Sequence, residues 1–153
     1  MKKIIVFLSL TLICFAETVS VDLDFLLKSH PKLKTVQNEL EKEKTKLEKD
    51  LNTKADKLKT EYEALVKKGS KITEAEKEAF AKKDKELSEQ FVKSQTDLAN
   101  LEAKKINALI TEIKTAINNY AKTKKYDAVV EKKTVYYGKI KDISSEVLKT
   151  IKK

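Results

Sequence analysis

The sequence has almost none of the residues that build disulfides, tight turns or metal sites. Its 153 residues include one Cys, one His, one Pro and two Gly, and no Trp. Cys14 lies in a segment that is interpreted below as an export signal, so the remaining chain offers neither a disulfide nor a thiolate nucleophile. His30 has no cysteine or group of acids near it in sequence, so we expect no metal site. So few Gly and Pro also argue against a loop-rich or all-β domain.

Motifs typical of enzymes are missing as well. The sequence contains no GxSxG, no glycine loop that would cradle a phosphate and no set of residues suited to a catalytic triad. Acids that come close together, such as Glu61 and Glu63, lie among lysines, which is typical of solvent-exposed i,i+4 pairs on a helix and not of an acid and base couple. We therefore expect no catalysis and no cofactor.

Residues 1–16 have the three parts of a secretory signal. Two lysines follow the initiator Met, residues 4–13 are almost wholly apolar, and Ala16 is the small residue that precedes a cleavage site. We predict cleavage between Ala16 and Glu17, which makes the protein an exported one. The apolar run has roughly half of the ~20 residues that a bilayer span needs, so a permanent anchor is not expected.

A lipid anchor is not expected either. Cys14 is the one residue of the signal that a lipoprotein pathway would modify, but the preceding Ile13 is bulky where a small residue is needed. No later segment is apolar enough to predict a membrane span.

Charged residues are abundant and mixed in sign. They make up 37% of the sequence against 7% aromatic residues, a balance too polar for one large core. The 33 basic residues are all lysine and outnumber the 24 acids, which gives a net charge of +9. Because the chain is rich in Ala, Lys, Glu and Leu, we expect an extended, mainly helical protein with only a small β part.

Two long helices are predicted for residues 31–122. The first should begin at Pro31 and run to about residue 68, because its apolar residues recur in steps of 3, 4 and 4. Gly69 suits a helix end, and a capping box of Thr73 and Glu76 should start the second helix, which should run to about residue 122. A short connection forces the helices to turn back, so we predict a long antiparallel hairpin arm with its tip near residues 67–73.

The two ends of the chain, residues 17–30 and 123–153, should form a small β-rich body. Alternating apolar residues predict a strand at 19–23, runs of Val and Tyr predict a β-hairpin of 126–131 and 134–137, and Asp142 should cap a last helix. Three short strands are marginal alone, so we expect several chains to associate through the body, with the arm projecting from it. The residues assigned to this association are Val19, Val21, Leu23, Val129, Val130, Val135 and Tyr137.

VDLDFLLKSHP, at residues 21–31, resembles the VDxxxxLxxSP opening of the Skp (OmpH-like) family of periplasmic chaperones, with His30 where the family usually has Ser. YDAVV, residues 126–130, resembles its YDxVxD strand, although Lys133 stands near a usual turn Asn. VYY and KDISSEVL, at 135–137 and 141–148, resemble its VxY…xDITxxVL ending.

The resemblance implies a jellyfish-shaped trimer, in which a β-rich body carries three helical arms. It also implies a periplasmic protein that holds unfolded outer-membrane β-barrel proteins and prevents their aggregation without ATP. The arm and the associating body that the residues themselves predict are compatible with this architecture.

Two binding hypotheses follow. Clients should contact the large apolar residues and tip lysines of the arm through many weak contacts, at Tyr62, Phe80, Phe91, Lys67, Lys68 and Lys71. Aromatic residues at helical spacing also pack between helices, and lysines also form plain solvated faces, so this structural alternative stays open. Anionic lipid or lipopolysaccharide is a second predicted contact, through Lys122, Lys124, Lys125, Lys132 and Lys133.

Other functions remain to be weighed. A non-catalytic coiled-coil tether or adaptor in the cell envelope would use the same hairpin, but it would bind one folded partner tightly, whereas a chaperone binds many unfolded proteins loosely. The basic balance also suggests nucleic-acid binding. Export, the absence of arginine and the even mixing of Lys and Glu argue against nucleic acid as a partner.

Overall fold

The computed structural model describes residues 17–152; the predicted signal, residues 1–16, and residue 153 lie outside the described residues. Helices dominate and the β part is small, as predicted. The chain divides into two units, a terminal unit formed by residues 17–26 and 113–152, and a helical unit formed by residues 27–112. The elements in chain order are β1 (Thr18–Val21), α1 (Leu23–Lys28), α2 (Leu33–Lys68), α3 (Glu74–Lys124), β2 (Ala128–Glu131), β3 (Lys141–Asp142) and α4 (Ser144–Ile151).

The sheet of the terminal unit has β1 in its centre. The strand order is β2-β1-β3, and β1 is parallel to both neighbours. The four residues of β1 lie opposite Ala128–Glu131 in register, and Val19 and Ser20 lie opposite Lys141 and Asp142. Within residues 17–152, no further strand pairs with the outer edges of β2 and β3.

The predicted β-hairpin is wrong. Residues 126–131 contain a strand, but residues 134–137 do not, and the third strand is Lys141–Asp142. Lys132–Thr134 turn as a 3-10 helix directly after β2, which directs the chain away from an antiparallel return. β2 pairs instead with β1, a strand far away in sequence.

The first strand also ends earlier than predicted, because Leu23 begins α1. Asp22 explains the change: its Oδ1 accepts a hydrogen bond of 2.9 Å from the N–H of Phe25, and its C=O accepts one of 3.0 Å from the N–H of Leu26. A side-chain acceptor at this position satisfies a free N–H of the helix start and stops the strand. Leu23 is therefore a half-buried helical residue.

The buried core of the terminal unit draws on both ends of the chain. Its buried apolar residues are Val19, Val21, Leu26, Ile113, Ile117, Ile143, Val147 and Leu148. Those of α4 lie on one face, as predicted for an amphipathic helix. This shared core holds together segments that are about a hundred residues apart in sequence.

Asp142 supports the start of α4, although Ile143 is the residue at its N-cap. The Asp142 carboxylate accepts hydrogen bonds from the N–H and the hydroxyl of Ser144, at 2.9 and 2.5 Å. These bonds, together with Lys132, lower the pKa of Asp142 to about 2. Asp142 thus fulfils the predicted capping role from the position directly before the N-cap residue.

The helical unit begins and turns close to the predicted places. α2 begins at Leu33 and not at Pro31, because the C=O of His30 accepts a 3.0 Å bond from the N–H of Leu33 and closes a turn first. Gly69 ends α2 with a φ of 53°, a left-handed value that favours glycine. The capping box before α3 is confirmed: Thr73 N–H donates to Glu76 Oε2 at 2.9 Å, and Glu76 N–H donates to Thr73 Oγ1 at 3.3 Å.

The apolar stripes of the helical unit are only partly covered. Among residues 27–112, Val36 and Leu109 are the buried apolar side chains. The leucines that recur along α2 in steps of three and four are half-buried, whereas Tyr62 and Val66 at its end are exposed. None of the helices within residues 17–152 has the length and apolar character needed to cross a bilayer.

Ion pairs join α2 and α3 in a regular order. Lys105 contacts Glu39 and Lys83 contacts Glu61, both at 2.6 Å, and Lys68 contacts Glu76. Residues at higher numbers on α2 thus meet residues at lower numbers on α3. Exposed pairs of this kind contribute little stability one by one, so their main effect is on the register of the two helices.

His30 is buried at the start of α2 and is neutral there. Its Nδ1 accepts a 3.2 Å hydrogen bond from the N–H of Lys32, so Nε2 carries the proton, 3.5 Å from Oε2 of Glu112. Burial lowers the pKa of His30; Glu112 opposes this shift and the ammonium of Lys32 adds to it. The side chain therefore serves the helix start.

We expect the free energy of unfolding to fall as the pH is lowered from 7.5 to 5.5. His30 is the only histidine, and its pKa is lower in the folded than in the unfolded chain, so acid favours the unfolded state below about pH 6.5. Urea unfolding at both pH values measures the difference. A His30→Asn variant keeps an acceptor for Lys32 but does not titrate, so the loss of stability that His30 causes on acidification should disappear. An equal pH dependence in the variant would contradict the assignment.

Candidate functional site

Two of the predicted client-contact residues pack against each other near the end of the helix pair. The rings of Tyr62 and Phe80 lie 5.5 Å apart between centroids, tilted by 40°. Phe80 is half-buried, whereas 54% of Tyr62 is exposed. This packing fits the structural alternative for Phe80, because its ring helps to join α2 to α3, and client contact through Phe80 stays a prediction.

The three predicted tip lysines differ in their surroundings. Lys68 pairs with Glu76, and this hydrogen bond, with those from Thr73, lowers the pKa of Glu76 to about 2. Lys67 and Lys71 are exposed. The charge of Lys68 is thus compensated within the turn, so Lys67 and Lys71 are the tip lysines whose environment best suits contact with an acidic partner.

The third predicted aromatic residue, Phe91, lies in an apolar groove between α2 and α3. The groove has a volume of about 420 Å³ and is lined by Leu51, Asn52, Ala55, Leu87, Ser88, Phe91 and Val92. Phe91 is 49% exposed and Val92 63% exposed. The helical unit therefore exposes large apolar side chains to solvent in this groove.

Val92 is the residue of this groove that the sequence reasoning missed. Consecutive residues of a helix point about 100° apart, so Phe91 and Val92 cannot both belong to one narrow stripe. The sequence did contain a signal for Val92, namely that Phe91 and Val92 are adjacent apolar residues in a helix that is otherwise highly charged. It indicates a surface wider than the contact between two helices needs.

Net positive charge is concentrated in the last forty residues of the chain. Residues 17–113 contain twenty lysines and twenty acids, whereas residues 114–153 contain eleven lysines and four acids. Long-range attraction of an acidic partner would therefore act mainly on the C-terminal quarter of the chain.

The lysines predicted to contact anionic lipid are partly engaged. Lys132 pairs with Asp142 at 2.9 Å and Lys133 with Asp24 at 2.5 Å, and each of these hydrogen bonds raises the pKa of its lysine. The ammonium of Lys124 lies 5.8 Å from the ring centroid of Tyr120. Lys122 and Lys125 are exposed. Contact with anionic lipid stays a prediction, for which these last two are the best-placed residues.

The residues assigned to association of chains fall into three groups. Val19 and Val21 are buried within the single chain, where they hold its own sheet. Leu23, Val129, Val130 and Val135 are half-buried. Tyr137 is 97% exposed, and so is its neighbour Tyr136, at 99%, which the assignment missed. Two adjacent, fully exposed aromatic side chains are uncommon on a surface that stays in water.

Metal-binding geometry does not occur in the part of the chain that the structure describes. No group of three or more His, Cys, Asp and Glu side chains there is arranged to hold an ion. The features that stand out are instead the apolar groove around Phe91 and the tyrosine pair.

Comparison with known proteins gives a consistent picture. The sequence profile of the family described as outer membrane protein (OmpH-like) matches residues 18–151. Among solved structures, the chain is similar to one from Caulobacter crescentus CB15 described as an outer membrane chaperone (OmpH-like), with a TM-score of 0.64 and 16% sequence identity. That match covers 90% of this chain and 84% of the other. No curated protein sequence matches the chain.

Proposed function

The chain belongs to the OmpH-like family, and from this premise we propose that it is a periplasmic holding chaperone. It binds unfolded outer-membrane β-barrel proteins and prevents their aggregation on the way to the outer membrane, without ATP and without catalysis. The observation that supports this function most strongly is the exposed apolar groove formed by Leu51, Ala55, Leu87, Phe91 and Val92.

The groove suits an unfolded barrel strand for geometric reasons. Such a strand carries apolar side chains at every second residue, about 6.5 to 7 Å apart. One or two of them fit a shallow apolar surface of this size, and each contact is weak. Several weak contacts made by one bound chain raise the overall affinity, while each of them still releases quickly.

We also propose the hairpin and the assembly that this function needs. The order of the ion pairs between α2 and α3 supports two antiparallel helices that turn at Gly69. The two unpaired sheet edges and the exposed Tyr136 and Tyr137 support association of several chains, with the trimer of the resembled family as the expected number. Client contacts at the tip, through Tyr62, Lys67 and Lys71, belong to the same proposal.

A Phe91→Ser, Val92→Ser double variant should lose holding activity. The substitutions remove the most exposed apolar groups of the groove, so we expect about tenfold weaker binding of an unfolded barrel protein. The measurement is light scattering after an outer-membrane porin is diluted from urea into buffer that contains the chaperone and no ATP.

Asn100→Ser is the matched control, because position 100 is exposed on a different face of the same helix and carries no apolar group. Circular dichroism should show unchanged helicity in both variants. Phe80 is left intact, since its packing on Tyr62 would confuse binding with stability. If the double variant holds the porin as well as the wild type, the groove is not the binding surface. If the folded wild type fails to hold any porin, a tether that binds a folded partner becomes the better function.

A Tyr136→Ser, Tyr137→Ser double variant should associate less readily. Removing two fully exposed rings takes apolar area from the proposed contact between chains but none from the core of the single chain. Light-scattering mass over a series of dilutions should show the wild type as a trimer. The variant should begin to dissociate at a higher protein concentration than the wild type does. Equal masses across the series would place the contact between chains elsewhere.

A further inference from the structure

Glu17, the residue before the central strand β1, contacts residues next to or in both outer strands. Its backbone N–H donates a 2.7 Å hydrogen bond to Oδ2 of Asp127, and its C=O accepts a 3.1 Å bond from the backbone N–H of the same residue. Its side-chain Oε1 lies 3.9 Å from Nζ of Lys141 in β3. The residue directly before the central strand is thus bonded to the residue before β2 and is close to a lysine of β3.

The backbone nitrogen of Glu17, which donates the 2.7 Å hydrogen bond to Asp127, is the atom that removal of the signal would change. The predicted cleavage hydrolyses the peptide bond between Ala16 and Glu17, and one water molecule supplies the atoms. The products are a carboxylate on Ala16 and, at neutral pH, an ammonium group on the nitrogen of Glu17. A neutral amide donor is replaced by a charged one at the same atom, so a Coulomb attraction to the Asp127 carboxylate is added to a hydrogen bond that already has a charged acceptor.

We propose that cleavage after Ala16 creates an ion pair between the α-ammonium group of Glu17 and the carboxylate of Asp127, which strengthens the attachment of the start of β1 to β2 in the processed chain. Because β1 lies between β2 and β3, fastening its first residue stabilises both strand pairs. The proposal rests on the predicted cleavage and on this geometry, and it is independent of the chaperone function.

Other charged groups near the contact favour the same outcome. Lys141 lies beside the Glu17 carboxylate and donates a 3.1 Å hydrogen bond to the hydroxyl of Tyr126, the residue before Asp127. The negative charge of the Glu17 side chain is therefore balanced by Lys141. Asp127 remains the acceptor to which the backbone nitrogen of Glu17 donates.

The first test follows the protein through export. The 153-residue chain is produced with its signal, purified from the periplasm, and its N-terminus is identified by mass spectrometry, with Glu17 as the expected first residue. The pKa of the α-amino group is then measured from the pH dependence of its rate of labelling by an amine reagent. We expect a value above the usual ~7.7–8.0 in the wild type and a value within that range in an Asp127→Asn variant. Asp97→Asn, which removes an exposed acid from the helical unit, should leave the raised value unchanged.

A stability cycle provides a second readout. Asp127→Asn should lower the folding equilibrium constant of the processed chain roughly two- to fivefold, the range of an exposed ion pair. The same substitution should have a smaller effect in a chain that carries Gly-Ser ahead of Glu17, because the ammonium group is then displaced. A different first residue, an α-amino pKa that Asp127→Asn does not change, or equal effects in the two chains would each overturn the proposal. None of these results depends on whether the protein holds porins.

Discussion

The parallel pairing of β1 with β2 and β3 is the interaction on which the rest of the structure depends. It joins residues 18–21 to residues 128–131 and 141–142, so the terminal unit cannot form until both ends of the chain are present. Parallel strands need a long connection, and here the chain between β1 and β2 contains both long helices. Asp22 and Asp142 reinforce the arrangement locally, because each ends its strand by bonding to the helix that follows.

The helices could be predicted from the sequence because the signals that define them are local. The apolar spacing of α2, the left-handed glycine at position 69 and the capping box at Thr73 and Glu76 all act within a few residues, and all three are present in the structure. The sheet could not be predicted in the same way. Val135 and the two tyrosines after it suggested a local hairpin, but the partner of β2 is a distant strand, which no local pattern identifies.

The candidate site was predicted in part, for a related reason. The helical spacing of apolar residues located Phe91. A narrow apolar stripe accounts only for the contact between two helices, so Val92 beside it was overlooked. For Phe80 the pattern gave no means to separate packing from binding, because that depends on which residue the other helix places opposite, and here it places Tyr62. The same thin stripes leave few apolar groups buried among residues 27–112 and others exposed, and a surface of this kind is what a holding chaperone needs.

Site-specific cross-linking tests the central claim most directly. A photo-reactive amino acid is placed at position 92 in the groove, or at position 100 on a different face of the same helix, and each protein is illuminated with a urea-diluted porin or with the same porin already folded in detergent. The account predicts strong cross-links from position 92 to the unfolded porin, few from position 100, and none from either position to the folded porin. Equal cross-linking from both positions, or cross-linking of the folded porin, would contradict the view that this groove holds unfolded chains.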